Sequence, residues 1–333
     1  MTPIRVGTAI AEPGTRADGV IHGGRLVDSS PVDIPVAVLN GAKPGRRVWI
    51  HGAIHGDEYV GTRAIQQLIG RLDPSEMSGA LVAIPVANIS AFRAGTRAAP
   101  QDGLDMNRVW PGAELDKARS LNPHSEVIVH RMFEAMTTIG VDAVVDCHTG
   151  GTWCLMANWT AYADYGDAAA EAGRLAEAAA FDVLWGRKPD FIAANVSGSA
   201  GDVLSARGIP YVVLEAGGLT IADRAPVAAT LRALENILKA TNVIAGEPEV
   251  PTPARRVTKG HWMRAREGGL FERQVDLLQE VRVGDVIGVV YDVLGHGVEE
   301  LRAPASGIVI GLRYAATVGS GDYVGDVSEP SRA

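Results

Sequence analysis

Short apolar stretches alternate with longer amphipathic stretches between residues 46 and 246. The short stretches are typical of buried strands, and the longer ones carry apolar positions at helical spacing. This alternation predicts an α/β domain with a parallel or mixed sheet and helices on both faces. Strands are predicted at Val48–Ile50, Leu81–Val86, Val141–Cys147 and Ile209–Leu214, and helices at Tyr59–Leu72, Ser125–Ile139, Tyr165–Ala180 and Pro226–Ala240.

The pattern changes at residues 246–253, where three prolines within six positions favour an extended linker. From residue 254 to 328, short strand-like stretches are separated by glycines, which predicts a small all-β domain. Its stretch 283–309 resembles the barrel-sandwich hybrid of biotinyl and lipoyl carriers but lacks the acceptor lysine at the expected hairpin. Residues 1–45 are expected to supply strands that join the sheet of the α/β domain.

Composition and charge exclude several classes of protein. The 333 residues are 47% hydrophobic and 21% charged, as in ordinary globular proteins. A net charge of −8 argues against nucleic-acid binding. No apolar run reaches the ~18–20 residues of a membrane span, and the N-terminus lacks the pattern of a signal peptide, so we expect a cytoplasmic protein. The two cysteines, Cys147 and Cys154, are expected to be reduced and buried.

The stretch HGAIHGDE, residues 51–58, follows the first predicted strand of the α/β domain. If a helix begins near Gly56, His55 stands at its edge and Glu58 follows three residues later, so both side chains converge on one side of the first turn. Imidazole nitrogen and carboxylate oxygen suit Zn²⁺, whose catalytic sites use three protein ligands and keep one position open. A capping arrangement at the helix start is the alternative interpretation.

A third ligand is expected at the end of the strand that leads into His148. Open α/β sheets place their ligands at the carboxyl ends of strands, and His148 follows such an apolar strand. Asp146 lies on the same strand face and is suited to orient a ligand. His51 is closer in sequence, but it ends a strand that Gly52 breaks, so we assign it a supporting role. The alternative for His148 is an ordinary hydrogen-bonded histidine.

Glu215 ends a further apolar strand. A buried glutamate is costly unless it pairs or faces a cleft, and next to a metal it can act as a general base toward water. The alternative is a salt bridge with Arg207 or Arg224.

Arginines cluster between residues 93 and 108. A guanidinium binds a carboxylate through two parallel hydrogen bonds, and a cation can also stabilise the oxyanion of a tetrahedral intermediate. Arg93 and Arg97 compete for the second task. The alternative interpretation of Asn107 and Arg108 is that they anchor the loop in which they lie.

Four motifs in this order resemble those of the succinylglutamate desuccinylase/aspartoacylase family, relatives of the zinc carboxypeptidases. The likeness covers about residues 46–327. The motifs are His55-x-x-Glu58, Asp105-Met106-Asn107-Arg108, Asp146-Cys147-His148-Thr149-Gly150 and Leu214-Glu215-Ala216-Gly217.

This resemblance implies a zinc-carboxypeptidase-like mixed sheet and one Zn²⁺ per chain, held by His55, Glu58 and His148. It implies Glu215 as the base that activates water and Arg97 as the residue that polarises the scissile carbonyl. Asn107 and Arg108 would bind the carboxylate of the substrate. A substrate-contacting tyrosine of the C-terminal domain would be Tyr291, Tyr314 or Tyr323.

We therefore expect a zinc-dependent amidohydrolase, a deacylase that acts on a small N-acyl amino acid or a related compound. The β domain is expected to narrow the entrance, and the segment Gly295-His296-Gly297 is a candidate to overhang the site. The alternatives are a metallocarboxypeptidase acting on short peptides and a metal-free binding protein of the same fold. Neither nucleic acid nor membrane is an expected partner, and the number of subunits, including a homo-oligomer, stays open.

Overall fold

The computed structural model describes residues 2–117 and 121–331, which form a mixed α/β structure. The α-helices are α1 (Tyr59–Arg71), α2 (Ile89–Ala94), α3 (His124–Ile139), α4 (Ala169–Ala178), α5 (Pro189–Asn195), α6 (Ala200–Ser205) and α7 (Arg224–Ala240). The strands up to the linker are β1 (Ile4–Val6), β2 (Ala9–Ala11), β3 (Thr15–Arg25), β4 (Pro31–Asn40), β5 (Lys43–Gly52), β6 (Ser78–Ile84), β7 (Ala143–His148), β8 (Cys154–Ala163), β9 (Val183–Arg187) and β10 (Tyr211–Gly218). The strands beyond it are β11 (Arg255–Arg264), β12 (Gly269–Arg273), β13 (Glu280–Val281), β14 (Val286–Tyr291), β15 (Gly297–Arg302), β16 (Gly307–Arg313), β17 (Thr317–Val318) and β18 (Tyr323–Pro330). Within the described ranges, none of the helices has the length and apolarity needed to cross a membrane.

The centre of the structure is a twelve-stranded sheet in the order β13-β16-β18-β11-β9-β8-β10-β7-β5-β6-β4-β3. Strands β6, β5, β7 and β10 run parallel to one another, whereas β8 is antiparallel to β10 and β4 is antiparallel to β6. The predicted α/β fold with a mixed sheet is confirmed. Because β5, β7 and β10 are parallel neighbours, their carboxyl ends meet at one edge of the sheet.

Alternate residues of the central strands pack into two hydrophobic clusters on opposite faces of the sheet. Val145 and Cys147 pack on one face, with apolar residues of α1, α4 and α7. Val144 packs on the other face, with apolar residues of α3. Asp146 and His148 share the face of Val144, because side chains alternate along a strand. The polar end of β7 therefore opens away from α1 and α7.

The strands of the C-terminal region continue the central sheet and close it on itself. Strand β11 pairs with β9, β18 pairs with β11 and β16, and β16 pairs with β8, which in turn pairs with β9. These five strands form a closed ring. Strands β12, β14, β15 and β17 form a separate four-stranded sheet, and a third hydrophobic cluster joins it to the ring. The strand-rich C-terminal region is confirmed, while the division at residues 246–254 stays a prediction.

The N-terminal residues described also contribute to the large sheet. Strand β3 pairs with β4, and β4 pairs with β6. Strands β1 and β2 form a two-stranded sheet of their own. The two cysteines are free thiols and buried, as predicted.

Helix α1 lies close against β7, just before the functional end of that strand. A Cβ atom placed on Gly61 would lie 2.4 Å from the Cβ atom of Cys147, the residue before His148. Non-bonded carbon atoms do not approach each other this closely, so this position requires glycine, which has no Cβ atom. Gly70, near the end of the same helix, would place a Cβ atom in open space.

We predict that Gly61→Ala lowers the free energy of unfolding by about 1–3 kcal/mol, the usual cost of overpacking. This loss should exceed the gain of about 1 kcal/mol that alanine normally brings to a helix. Gly70→Ala is the matched control and should be neutral or stabilising. Urea unfolding measures both variants, and equal stability of the two would contradict the close packing of α1 on β7.

Candidate metal centre and active site

The loop between β5 and α1 carries the first two candidate ligands. The helix predicted at Tyr59–Leu72 is confirmed as α1, which begins at Tyr59, so the condition of a helix start near Gly56 is not met; Glu58 is the N-cap residue, with an extended backbone. The loop instead folds tightly over α2: a Cβ atom on Gly56 would lie 2.1 Å from the carbonyl carbon of Ala91. The Glu58 amide donates to the His55 carbonyl at 3.2 Å. The two side chains converge through this turn and not through helical spacing.

The three predicted ligands come together in the structure. One possible ligand atom of each residue, His55, Glu58 and His148, lies within 4.8 Å of the others, and all three residues are buried. His55 Nδ1 lies 2.7 Å from Glu58 Oε1, and His148 Nδ1 lies 3.0 Å from Glu58 Oε2. Two imidazole nitrogens and a carboxylate therefore face one point, which is a suitable donor set for a divalent metal ion.

The far nitrogen of each imidazole meets a second carboxylate. His55 Nε2 lies 3.1 Å from Asp105 Oδ1, and His148 Nε2 lies 2.9 Å from Asp146 Oδ2. The Tyr211 hydroxyl donates to Asp146 Oδ2 at 2.5 Å. Histidines that bind metals usually have such carboxylate partners, which fix the ring orientation and the tautomer. The Nδ1 atoms are thus left to face Glu58.

His51 lies behind this arrangement, in agreement with a supporting role. It is fully buried, its Nε2 atom lies 3.2 Å from Asp146 Oδ1, and its ring stacks on that of Trp110 with centroids 6.2 Å apart. His51 does not belong to the group of candidate ligands formed by His55, Glu58 and His148.

The charges of these groups suit a cation. Burial raises the pKa of Glu58, but the neighbouring His55 and His148 outweigh burial and hold that pKa below its ordinary value. Burial lowers the pKa of His148, but Asp146 and Glu58 outweigh this effect and raise it. Protons and a divalent cation therefore compete for the same buried groups, as is usual at metal sites.

Glu215 lies beside His148 on the adjacent strand. The two residues are register partners between β10 and β7. Burial raises the pKa of Glu215 to about 8, although the charge of His148 opposes the rise. In the described ranges, Glu215 Oε2 has no hydrogen-bond partner and the carboxylate has no ion pair within 4 Å, so the alternative of a salt bridge with Arg207 or Arg224 is wrong. One buried carboxylate oxygen without a hydrogen-bond partner, Glu215 Oε2, thus lies on the residue paired with a candidate ligand.

Arg97 lies closer to the candidate ligands than Arg93 does. Arg97 Nη2 donates to Asp105 Oδ2 at 3.0 Å, and Arg97 Nη1 lies 3.6 Å from Glu58 Oε1. Arg93 is exposed in the last turn of α2 and does not line the adjoining cavity. The geometry favours Arg97 as the cation of the site.

Asn107 and Arg108 lie on a short 3₁₀ turn, and the Asn107 amide donates to Asp105 Oδ1 at 2.9 Å. Asn107 Oδ1 accepts from the Ala200 amide at 3.0 Å, and its Nδ2 atom lies 3.3 Å from His148 Nε2. Arg108 Nη1 donates to the carbonyl of Asn107 at 2.7 Å. Asn107 therefore anchors the loop to α6 and also faces the site, so the two interpretations are compatible.

A cavity of about 640 Å³ adjoins the candidate ligands. Its walls include all seven predicted site residues together with side chains from the C-terminal strands. Of the three candidate tyrosines, Tyr323 lines the cavity and Tyr291 and Tyr314 do not. His296 is 72% exposed, lies 3.0 Å from Asp292, and does not line this cavity, so the predicted overhang is wrong.

Sequence reasoning missed five charged residues of the cavity: Arg187, Arg264, Arg313, Asp322 and Asp326. Arg187 ends the apolar strand β9, which is the same signal that singled out His148. Asp326 interrupts the buried residues of β18, where a charged residue predicts either a pair or a cavity.

Comparison with known proteins identifies the family of the chain. The model of the succinylglutamate desuccinylase/aspartoacylase catalytic domain matches residues 44–241. The chain belongs to the succinylglutamate desuccinylase/aspartoacylase family. The predicted resemblance is therefore confirmed.

Similar members of this family match almost the whole chain. An N-alpha-acetyl-L-2,4-diaminobutyric acid deacetylase of Halomonas elongata is 29% identical over 326 residues, which are 94% of this chain and 92% of that protein. The product-bound structure of the ectoine utilization protein EutE (DoeB) from Ruegeria pomeroyi is 25% identical, with a TM-score of 0.84 and 99% of both chains covered. A succinylglutamate desuccinylase/aspartoacylase structure from Rhodobacter sphaeroides is 27% identical, with a TM-score of 0.83 and 96% of both chains covered.

We predict that His148→Ala or His55→Ala in this family member abolishes stoichiometric binding of a divalent metal, because each removes one of three donors. Metal analysis of the purified proteins measures the effect. His296→Ala is the matched control and should keep the wild-type metal content, since His296 lies outside the site. Full metal content in both His55 and His148 variants would place the metal elsewhere.

Proposed function

We propose that the protein is a zinc-dependent amidohydrolase that removes an acyl group from the nitrogen of a small amino acid or a related compound. The observation that carries this proposal is the convergence of ligand atoms of His55, Glu58 and His148 within 4.8 Å, beside Glu215, whose Oε2 atom has no hydrogen-bond partner in the described chain. Two histidines and one glutamate are a known ligand set of catalytic zinc in hydrolases. Family membership supports the same reaction.

The metal and the side chains have separate tasks. Zn²⁺ held by His55, Glu58 and His148 would supply a Lewis acid that polarises a carbonyl and makes water more acidic. Asp105 and Asp146 hold the two imidazoles in orientation from behind. The chain itself therefore supplies orientation, proton transfer and binding of charged groups.

Glu215 is the proposed proton carrier. Its carboxylate takes a proton from the attacking water as the new C–O bond forms, and returns that proton to the departing nitrogen as the C–N bond breaks. Burial favours the protonated form of this side chain, so the proton can be held on the carboxyl group between the two steps. A bound cation would lower the pKa of Glu215 again and restore the carboxylate as the resting form.

The arginines are proposed to bind the charges of the substrate and of the intermediate. Arg97 lies 3.6 Å from Glu58 and has 42% of its side chain exposed, so it can approach an oxyanion formed beside the metal ligands. Arg108 is 3.9 Å from its nearest carboxylate, Asp105, and is therefore available for the carboxylate of the substrate, with Asn107 as a further hydrogen-bond donor.

The size of the cavity favours a small substrate. A volume of about 640 Å³ lies within the usual range for small-molecule sites. Residues from the C-terminal strands β11, β16 and β18 form one wall, which leaves less room for an extended peptide than an open cleft would. Relatives of nearly the same length are named for the deacetylation of N-alpha-acetyl-L-2,4-diaminobutyric acid and for ectoine utilization. We therefore propose N-acyl amino acids as substrates, with acetyl as the first acyl group to test.

We predict that Glu215→Gln retains fold and metal but lowers kcat by at least about 10²-fold, in line with the loss of a general base. Steady-state kinetics and metal analysis measure the two properties separately. Glu134→Gln, at a side chain that is 56% exposed on α3, is the matched control and should leave kcat unchanged. Turnover of Glu215→Gln near the wild-type rate would remove this residue from the mechanism.

A panel of N-acyl amino acids, assayed for the release of primary amine, tests the reaction itself. We expect hydrolysis of at least one compound, loss of activity after dialysis against a chelator, and recovery after addition of Zn²⁺. Comparable rates on short peptides would favour a metallocarboxypeptidase. Ligand binding that persists without metal, together with no turnover of any compound, would favour a binding protein.

A further inference from the structure

Five carboxylates line the cavity, and four of them have an evident task or partner. Glu58 belongs to the candidate metal ligands and Glu215 is the proposed base. Asp105 contacts His55 and Arg97, and Asp322 lies 3.2 Å from Arg313 Nη2. The fifth carboxylate is Asp326, on strand β18.

Asp326 is buried but has no cation in contact with it. Its relative exposure is 3%, and within residues 2–117 and 121–331 it forms no ion pair within 4 Å. Ser328 Oγ lies 3.4 Å from Asp326 Oδ1, and the backbone of His261 and the Trp262 side chain supply further hydrogen bonds. Burial raises the pKa of Asp326 to about 6, so the group is mainly ionised at neutral pH. A buried negative charge is costly unless a partner compensates it.

Aromatic side chains also line the cavity, and arginines already lie over two of them, Arg187 over Trp159 and Arg313 over Trp153. Trp262 and Tyr323 lie on strands β11 and β18 with ring centroids 6.5 Å apart, and both line the cavity with Trp153 and Trp159. The faces of aromatic rings attract cations, and a carboxylate among such rings is a favourable site for an alkylammonium group.

Arg187 is the nearest rival explanation of the Asp326 charge. Its guanidinium carbon lies 5.2 Å from the ring centroid of Trp159 and 4.8 Å from that of Trp185. The Arg187 charge acts to lower the pKa of both Asp326 and Glu215, so it influences both carboxylates. However, no ion-pair contact within 4 Å joins Arg187 to Asp326 in the described chain. If Asp326 only neutralised Arg187, a direct contact between two such buried groups would be expected. Two separated, opposite charges instead match a ligand that carries both an anionic and a cationic group.

We propose that Asp326 is a specificity-determining residue that binds a side-chain ammonium group of the amino acid from which the acyl group is removed. The preferred substrates are then N-acyl derivatives of diamino acids and not of acidic or apolar amino acids. This inference rests on the proposed function, because it takes the cavity beside His55, Glu58 and His148 as the substrate site.

The first test compares the binding of two small probes to the zinc-loaded protein by calorimetry. The probes are L-2,4-diaminobutyrate and L-norvaline, which have side chains of equal length and differ by an ammonium in place of a methyl group. We expect at least ~10-fold tighter binding of diaminobutyrate. Asp326→Asn should weaken diaminobutyrate by about 10- to 100-fold, the range for a charge-assisted hydrogen bond, and leave norvaline nearly unchanged.

Asp322→Asn is the matched control, because it removes a carboxylate of the same cavity that already has a partner. It should leave the ratio of the two affinities unchanged. Thermal unfolding of each variant checks the fold, and the comparison of the two probes on the wild-type protein needs no variant at all. The Nα-acetyl forms of both probes should give the same discrimination in kcat/KM.

The outcomes separate the two proposals. Equal binding of both probes to the wild-type protein, or an equal loss for both in Asp326→Asn, would overturn the role of Asp326. Hydrolysis of N-acyl amino acids without preference for a cationic side chain would overturn this inference and leave the amidohydrolase intact. Discrimination that depends on Asp326, without hydrolysis of any N-acyl compound, would overturn the amidohydrolase and retain the ammonium site.

Discussion

The structure depends on one buried carboxylate, Glu58, that lies between two imidazoles. Its two oxygens lie 2.7 Å and 3.0 Å from the Nδ1 atoms of His55 and His148, and its exposure is 2%. A charge so deeply buried is tolerated only when other charges compensate it. Residues distant in the chain must therefore meet at one point, and the fold has to bring β5 and β7 side by side for that to happen. Gly56 and Gly61 contribute to this arrangement, because they let the β5–α1 loop pack closely on α2 and let α1 pack closely on β7.

A second layer of side chains makes the arrangement rigid. Asp105 and Asp146 each hold one imidazole from behind, and the Tyr211 hydroxyl bonds to Asp146. Asp105 also caps the 3₁₀ turn that carries Asn107, while it accepts a hydrogen bond from Arg97. One carboxylate thus orients a candidate ligand, a loop and an arginine together. Asp105 therefore connects this loop and Arg97 directly to His55, one of the candidate metal ligands.

Residues in ordered local motifs could be predicted from the sequence, whereas residues brought in by strand pairing could not. His55, Glu58 and His148 each follow a strand that is visible as an apolar run, so their position at the sheet edge was predictable. The helix at Tyr59 was predicted as well, but the turn that brings His55 and Glu58 together was not, because the packing of Gly56 against α2 is a tertiary contact that helix propensity does not contain. Arg187 and Asp326 were missed for a similar reason. Their position in one cavity depends on the pairing of β11 with β9 and of β16 with β8, which joins segments far apart in the chain.

The closed ring of strands connects Asp326, the proposed specificity residue, to the strand beside Glu215, the proposed base. Strand β8 pairs with β10, which carries Glu215, and also with β16, which pairs with β18 and Asp326. Hydrogen-bonded strands keep fixed spacings, so the distance between the base and the far carboxylate is set by the sheet and not by a mobile loop. With the proposed roles of Asp326 and Glu215, a substrate whose ammonium group reaches Asp326 would have its amide held at a defined position near Glu215. Binding energy at one end of the molecule is then available to orient the bond that breaks at the other.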